Sequence, residues 1–265
     1  MPEAPILETR NLTKLFGGVA AVNGVSLQFA PAEVHALIGP NGAGKTTFLN
    51  VLSGELSPTS GKIYFKGKDV TRWGPDALAQ AGLGRSFQHS SIMQNFTLFE
   101  NVRLAAQAQS GISFGMFSPA ERFTEVTEVA RGAITAAGVG RADRLAAEAS
   151  HGERRQLEIA MLLATNADVL LLDEPTSGMG RAETQELIAL IKKLRGRHTI
   201  LLVEHDMDAV FSLADRITVL VYGRVLATGT PAEVRRNPEV RAAYLGEGSL
   251  PVSAPAASTC LYSVS

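Results

Sequence analysis

The chain has 265 residues, 45% of them hydrophobic and 19% charged, enough to bury a sizeable core without disulfides or a structural metal. A formal net charge of −1 provides no broad basic field for a phosphate backbone and argues against nucleic acid as a partner. The one cysteine, Cys260, has no second thiol to pair with, as expected in a reducing cytosol.

Residues Met1 to Pro5 show no charged-then-apolar leader, and no apolar run approaches the ~18 residues needed to cross a bilayer. Any membrane role is therefore expected to come through another chain. Ile6 to Phe16, Val25 to Phe29 and Val34 to Ile38 read as short strands punctuated by Gly, Asn and Pro, with Lys62 to Phe65 extending this strand-rich N-terminal part. Val169 to Leu172, Ile200 to Val203 and Ile217 to Tyr222 are short continuous apolar runs, the pattern of strands buried on both faces. Helical segments alternate with them, which predicts an α/β fold with a parallel sheet. Between Thr97 and Ala149 the strand signal disappears and the chain reads as helices, interrupted over Ser110 to Pro119. An inserted helical subdomain over about residues 90–165 is expected, within one domain spanning 6–246. Residues 247–265 are rich in Ser, Ala and Pro without periodicity and read as a flexible tail.

Directly after the apolar strand Val34 to Ile38 come Gly39, Pro40, Asn41, Gly42, Ala43, Gly44, Lys45 and Thr46, which fit the Walker A pattern at every required position. Such a loop turns its backbone N–H groups toward a phosphate, and the helix predicted over Lys45 to Leu52 presents its positive end to the same anion. Lys45 is placed to reach the β- and γ-phosphates of a nucleotide and Thr46 to ligate Mg²⁺. The loop alone leaves the class of P-loop enzyme open, because kinases, GTPases and motor ATPases share it.

Val169 to Leu172 leads into Asp173 and Glu174, a buried strand ending in two adjacent carboxylates as in a Walker B element. Asp173 is expected to hold Mg²⁺ through water. Strand alternation would turn Glu174 to the other side, where it could polarise an attacking water or accept its proton. A second carboxylate next to the metal residue suits hydrolysis, whereas a kinase must keep water from its phosphoryl donor. Ile200 to Val203 leads similarly into Glu204 and His205, which puts His205 at the end of another buried strand, within range of a γ-phosphate.

Between the two Walker elements lies Ser150, His151, Gly152, Glu153, Arg154, Arg155, Gln156, Leu157, Glu158, Ile159, Ala160. This stretch resembles the signature motif of ATP-binding cassette (ABC) proteins, and it also has a local reading, a capping box of Ser150 and Glu153 that starts a helix running to about Thr165. The resemblance extends to Gln88 as the Q-loop glutamine, Ser177 to Gly180 as the D-loop and His205 as the switch histidine, in the family's order over residues 6–245. It implies a P-loop NTPase core with an N-terminal antiparallel β subdomain. It implies further that Phe16 stacks on adenine, that Thr47 joins the loop in holding ATP, that Gln88 contacts Mg²⁺ and the reacting water, and that Ser150 and Gly152 face the γ-phosphate of a second ATPase subunit. Ala149, His151 and Glu153 stand where the family usually has leucine, glycine and glutamine. Gly180 stands where the D-loop usually has aspartate, which puts the coupling between the two sites in question.

Phe16, Gly17, Gly18, then Ala21 to Ser26, and Gly84, Arg85, Ser86, Phe87, Gln88, His89 look like the importers of branched-chain and other hydrophobic amino acids, as does the closing segment from Thr228 to Gly246. The stretches around Ser150 and Ser177 are also similar to the related urea and short-amide importers, so the substrate stays open. The importer resemblance implies transmembrane permease subunits as partners, indirect contact with a periplasmic or extracellular substrate-binding protein, and a peripheral position on the cytoplasmic face of the inner membrane. The surface from Gln88 through Ser90 to Phe99, with Ile92, Met93, Phe96 and Leu98, is expected to receive the permease. A soluble single cassette, as in iron–sulfur cluster assembly, is the competing class.

Overall fold

A computed structural model describes residues 4–86, 92–110 and 120–245. Strands β1 (Leu7–Phe16), β2 (Val19–Phe29), β4 (Ser60–Phe65) and β5 (Lys68–Asp69) form an antiparallel sheet in the order β2-β1-β4-β5. Val25, Leu27 and Phe29 are buried while Ser26 and Gln28 face solvent, the alternation of a sheet covered on one side. The sequence places the start of this second strand at Val25, but β2 begins six residues earlier. Shifts in the β1–β2 register and the positive φ of Asn11 (49°) and Gly24 (66°) absorb the punctuating residues as irregularities of the strand instead of ends.

The second sheet contains β3 (Val34–Ile38), β6 (Leu83–Arg85), β7 (Val169–Asp173), β8 (Thr199–Val203), β9 (Arg216–Val221) and β10 (Arg224–Gly229), in the order β10-β9-β3-β8-β7-β6. All its pairings are parallel except β9 with β10. Every residue of β3, β7 and β8 is buried, which is why these segments are mostly apolar, and His35 within β3 has both ring nitrogens hydrogen-bonded, to Glu33 and Thr218. Strand β6 has only three residues and leaves no periodic trace in the sequence.

Helix α1 (Lys45–Leu52) lies between the two sheets. Its Phe48, Leu49 and Leu52 share one core with Phe29 of β2 and with Leu171 and Leu201 of the second sheet. The start of α1 is thereby fixed relative to both layers. Helix α2 (Pro75–Ala81) precedes β6. Between β6 and β7 run α3 (Leu98–Ser110), α4 (Ala120–Ala137) and α5 (His151–Ala164), packed through Val102, Ala106, Ala130, Ala133 and Leu157. Leu157 is fully buried, and a cavity there costs about 2–5 kcal/mol. Helices α6 (Arg181–Leu194) and α7 (Met207–Leu213) follow β7 and β8. After β10 come α8 (Pro231–Arg236) and α9 (Pro238–Val240), whose Val234 and Val240 pack against Ala36 and Ile38 of β3. The expected tail lies outside the described residues.

Candidate functional site

Residues Leu37 of β3 and Asp173 of β7 both pair in register with Val203 of β8, so the segments that follow these three strands emerge along one sheet edge. In parallel sheets this carboxyl edge is where ligands bind. The loop after β3 leads into α1 through Gly44, whose φ of 97° is left-handed. A Cβ at Gly44 would collide with the carbonyl oxygen of Ala21, so only glycine fits against β2 there. The Gly223 amide donates to the Ala43 carbonyl at 3.0 Å, and the Asn23 amide to the Gly223 carbonyl at 2.8 Å. The loop is thus braced by both sheets.

Lys45 Nζ donates to the carbonyls of Gly39 at 2.8 Å and Pro40 at 3.1 Å, and the residue is only 6% exposed. Burial pulls its pKa below the ordinary lysine value, while the charges of Glu174 and Asp173 act in the opposite direction. An ammonium in such a place gains strongly from an anion, because carbonyl dipoles replace its lost hydration only in part. Thr46 and Thr47 are half-buried in the first turn of α1.

Asp173 closes β7 with its side chain 1% exposed. Its Oδ2 accepts from Arg85 Nη2 at 3.3 Å, and its Oδ1 is buried with no hydrogen-bond partner. Burial raises the Asp173 pKa, the Arg85 guanidinium pulls it back and the neighbouring Glu174 adds to the rise. Glu174 takes a partner different from that of Asp173 and does so from beyond the strand. The strand ends at Asp173, and Glu174 has a φ of 47°, a left-handed conformation that costs of order 1 kcal/mol or more for a residue with a Cβ. Its amide donates to the Val203 carbonyl at 2.8 Å, and its Oε1 lies 2.6 Å from His205 Nε2.

Glu204, 2% exposed, also belongs to the site. Its carboxylate accepts from the amides of Thr176 at 2.8 Å and His205 at 3.1 Å, fixing the turns that carry Glu174 and His205. No spacing in the sequence signals this role.

Ser150 caps α5: its hydroxyl accepts from the Glu153 amide at 3.2 Å, and its own amide donates to the Glu153 carboxylate at 2.7 Å. Arg144 Nη2 donates to the same Glu153 oxygen, Oε2, at 2.6 Å. The remaining donors at this helix start meet an acidic residue from another element. Glu183 Oε1 accepts from Ser150 Oγ at 3.3 Å and from the Gly152 amide at 3.2 Å, while its Oε2 accepts from the Gly180 amide at 3.1 Å. These backbone donors, Gly180 and then Gly152, hold the Glu183 pKa below the usual carboxylate value. A Cβ at Gly152 would come within 2.8 Å of Glu183 Oε1, so the bare backbone is what admits the carboxylate. Glu183 stands three residues after Gly180 and supplies only the acidic half of a capping box on α6, because glycine has no side chain to return the bond; no sequence motif announces it or its reach to α5.

The structure therefore gathers Lys45, Asp173, Glu174 and His205 at one edge and ties Ser150 and Gly152 to Glu183. Phe16, at the end of β1, is 48% exposed with Lys14 Nζ 5.3 Å from its ring. Gln88 lies outside the described residues. Of the apolar residues expected on a partner surface, Met93 and Phe96 are 52% and 40% exposed, whereas Ile92 and Leu98 belong to the core.

The model of the family described as "ABC transporter" matches residues 22–177, more than half of the chain. The chain belongs to the ABC transporter family. It is an ATP-binding subunit with the ATPase fold of that family, and its terminal segment 224–249 matches the family described as "Branched-chain amino acid ATP-binding cassette transporter". The high-affinity branched-chain amino acid transport ATP-binding protein LivG of Escherichia coli is 41% identical over 92% of this chain and 98% of its own length. Among solved structures, the ADP conformation of an ATP-binding cassette of an ABC transporter is 31% identical with a TM-score of 0.80, covering 92% of this chain and 99% of that one. A dimeric post-hydrolysis cassette bound to ADP and Pi is 25% identical with a TM-score of 0.71, covering 85% and 98%. This ABC ATPase thus has the mixed α/β cassette fold that the sequence predicts, and nucleotide binding comes with it. Among the described residues no helix is long and apolar enough to cross a membrane.

Proposed function

We propose that this ABC ATPase binds MgATP at the loop from Gly39 to Thr47 and hydrolyses it at the edge formed by Asp173, Glu174 and His205, to energise uptake of branched-chain or other hydrophobic amino acids. The observation that carries the chemistry is the buried Lys45 ammonium beside a carboxylate already hydrogen-bonded to a histidine. Lys45 takes the β- and γ-phosphates, the loop amides and the start of α1 take the remaining negative charge, and Phe16 offers an exposed ring for adenine. Thr46 and Asp173, with Gln88, would hold Mg²⁺. The donors are hard oxygens of the kind Mg²⁺ takes, and Asp173 Oδ1 is buried without a partner. Mg²⁺ when bound would neutralise charge on the phosphates. Glu174 orients the attacking water and accepts its proton, and His205 holds the Glu174 carboxylate in place and faces the γ-phosphate.

Ser150 and Gly152 complete the site of a second ATPase subunit across a dimer. The dimeric relative bound to ADP and Pi supports that assembly. The helical region at about 90–165 is the subdomain that faces permease subunits, with Met93 and Phe96 exposed for contact, and residues 247–265 are not needed for catalysis. The importer assignment, the peripheral position at the cytoplasmic face and the service of a substrate-binding protein rest on the likeness to LivG and on the terminal match. Reconstitution of the chain with its permease in vesicles tests them. ATP-driven uptake of labelled leucine supports the reading, and hydrolysis that drives no amino-acid uptake overturns the substrate assignment.

A further inference from the structure

Arg85 has no part in the chemistry described so far, yet it is buried against it. It ends β6 beside Leu171 of β7 and its side chain is 6% exposed. Nη1 donates to Ser53 Oγ at 3.0 Å and Glu55 Oε2 at 2.9 Å, at the end of α1 that lies away from the phosphate loop, while Nη2 reaches Asp173 Oδ2 at 3.3 Å. We propose that Arg85 is a positioning residue for the divalent cation: it takes one oxygen of Asp173, fixes the carboxylate plane, and so presents Oδ1 to the metal or its water shell. This rests on the reading of Asp173 as the metal residue.

Two features separate this role from simple strand-to-helix glue. First, β6 and β7 are already joined without the arginine, because the Ser86 amide donates to the Leu171 carbonyl at 2.9 Å. Second, a pair made for stability alone would satisfy both oxygens, since an unpaired buried acceptor costs about 1–3 kcal/mol. Here the guanidinium takes one oxygen and the other is left bare. Carboxylates that ligate metals are themselves held by such outer partners, whose loss typically weakens metal affinity about 10- to 100-fold. Arginine suits the task better than lysine because its planar fork reaches Asp173 with one nitrogen and Ser53 and Glu55 with the other.

The test is Mn²⁺ binding to the full-length protein with ADP, followed by electron paramagnetic resonance, alongside ADP affinity in excess chelator. Arg85→Met should weaken Mn²⁺ about 10- to 100-fold and leave metal-free ADP affinity unchanged, with Arg85→Lys recovering part of the loss. Arg85→Met removes the charge that faces a buried carboxylate and is the variant most prone to misfold. Glu55→Gln, at a side chain 35% exposed, loosens the same guanidinium from outside the core and should shift Mn²⁺ affinity in the same direction by less. Mn²⁺ affinity that stays the same or tightens in both variants, while Asp173→Asn abolishes it, overturns the role of Arg85 alone. Mn²⁺ affinity that survives Asp173→Asn overturns the reading of Asp173 beneath it.

Discussion

Glu174 Oε1 and His205 Nε2 are 2.6 Å apart, although the two residues follow different strands and each side chain is more than a third exposed. The contact is set by the backbone. Glu174 leaves β7 in a left-handed turn, and the buried Glu204 pins the amides on either side of the pair. The carboxylate is therefore oriented before nucleotide arrives, which is the condition for an efficient base.

Replacement of that base should separate binding from chemistry. Glu174→Gln leaves Lys45, the loop and Asp173 intact, so MgATP affinity should match the parent while hydrolysis falls about 10²- to 10⁴-fold. With ATP retained at the interface, the variant should accumulate as a dimer on size-exclusion chromatography with MgATP, and adding Ser150→Arg should return it to monomer. Hydrolysis at the parent rate would remove Glu174 from the catalytic role. His205→Ala, which frees the Glu174 carboxylate, should lower turnover with little change in ATP affinity.

Lys45→Ala tests the loop itself. The carbonyls of Gly39 and Pro40 that hold the ammonium cannot replace it as a phosphate ligand. Equilibrium titration with a fluorescent ATP analogue should show binding nearly abolished, with circular dichroism unchanged. Undiminished affinity in the folded variant would mean that this lysine does not meet the phosphates.

The parts of the protein legible in its sequence are those fixed by local pattern. The limits of β3 and α1 are predicted to the residue because a two-sided apolar run and a glycine loop leave little freedom. The Ser150–Glu153 capping box is likewise local, and the structure contains it. Strand β6 and the early start of β2 were not legible. A three-residue strand carries no period, and bulges look like ends when read in one dimension. Arg85, Glu204 and the second reach of Glu183 depend on contacts across 88, 28 and 31 positions, which no spacing within a single element encodes.

The partner surface is tested at Met93 and Phe96, exposed side chains that follow the segment containing Gln88. Met93→Glu and Phe96→Glu should leave the ATPase activity of the isolated subunit within about twofold of the parent, since surface changes usually shift stability by less than 0.5 kcal/mol. Co-purification with the permease should fall, because a carboxylate would be buried in an apolar contact. Intact assembly and transport in both variants would place the docking surface elsewhere.

Glu183 makes the sharpest prediction about closure of the dimer, because its carboxylate already occupies Ser150 Oγ and the Gly152 amide, the donors proposed for the partner's γ-phosphate. Two anions cannot share them, so ATP must displace Glu183 when the subunits meet. Glu183→Gln keeps the size of the side chain and removes its charge. In the Glu174→Gln background it should form the ATP-bound dimer at lower ATP concentration, read by size-exclusion chromatography across an ATP titration. A need for higher ATP would mean instead that the carboxylate organises the helix start for phosphate. The same residue ties α5 to α6 through Gly152 and Gly180, which has a separate signature in stability. Hydrogen bonds from these amides depress the folded pKa below the ordinary value of 4.5, so the unfolded chain takes up the proton first as pH falls. The stabilisation is thus fully present above that ordinary value and is lost as pH falls through the depressed one. Thermal melts of the isolated subunit should show Glu183→Gln below the parent at pH 7, with the gap closing only below about pH 4.5. A gap that stayed constant to lower pH would assign the lost stability to packing and not to the charge.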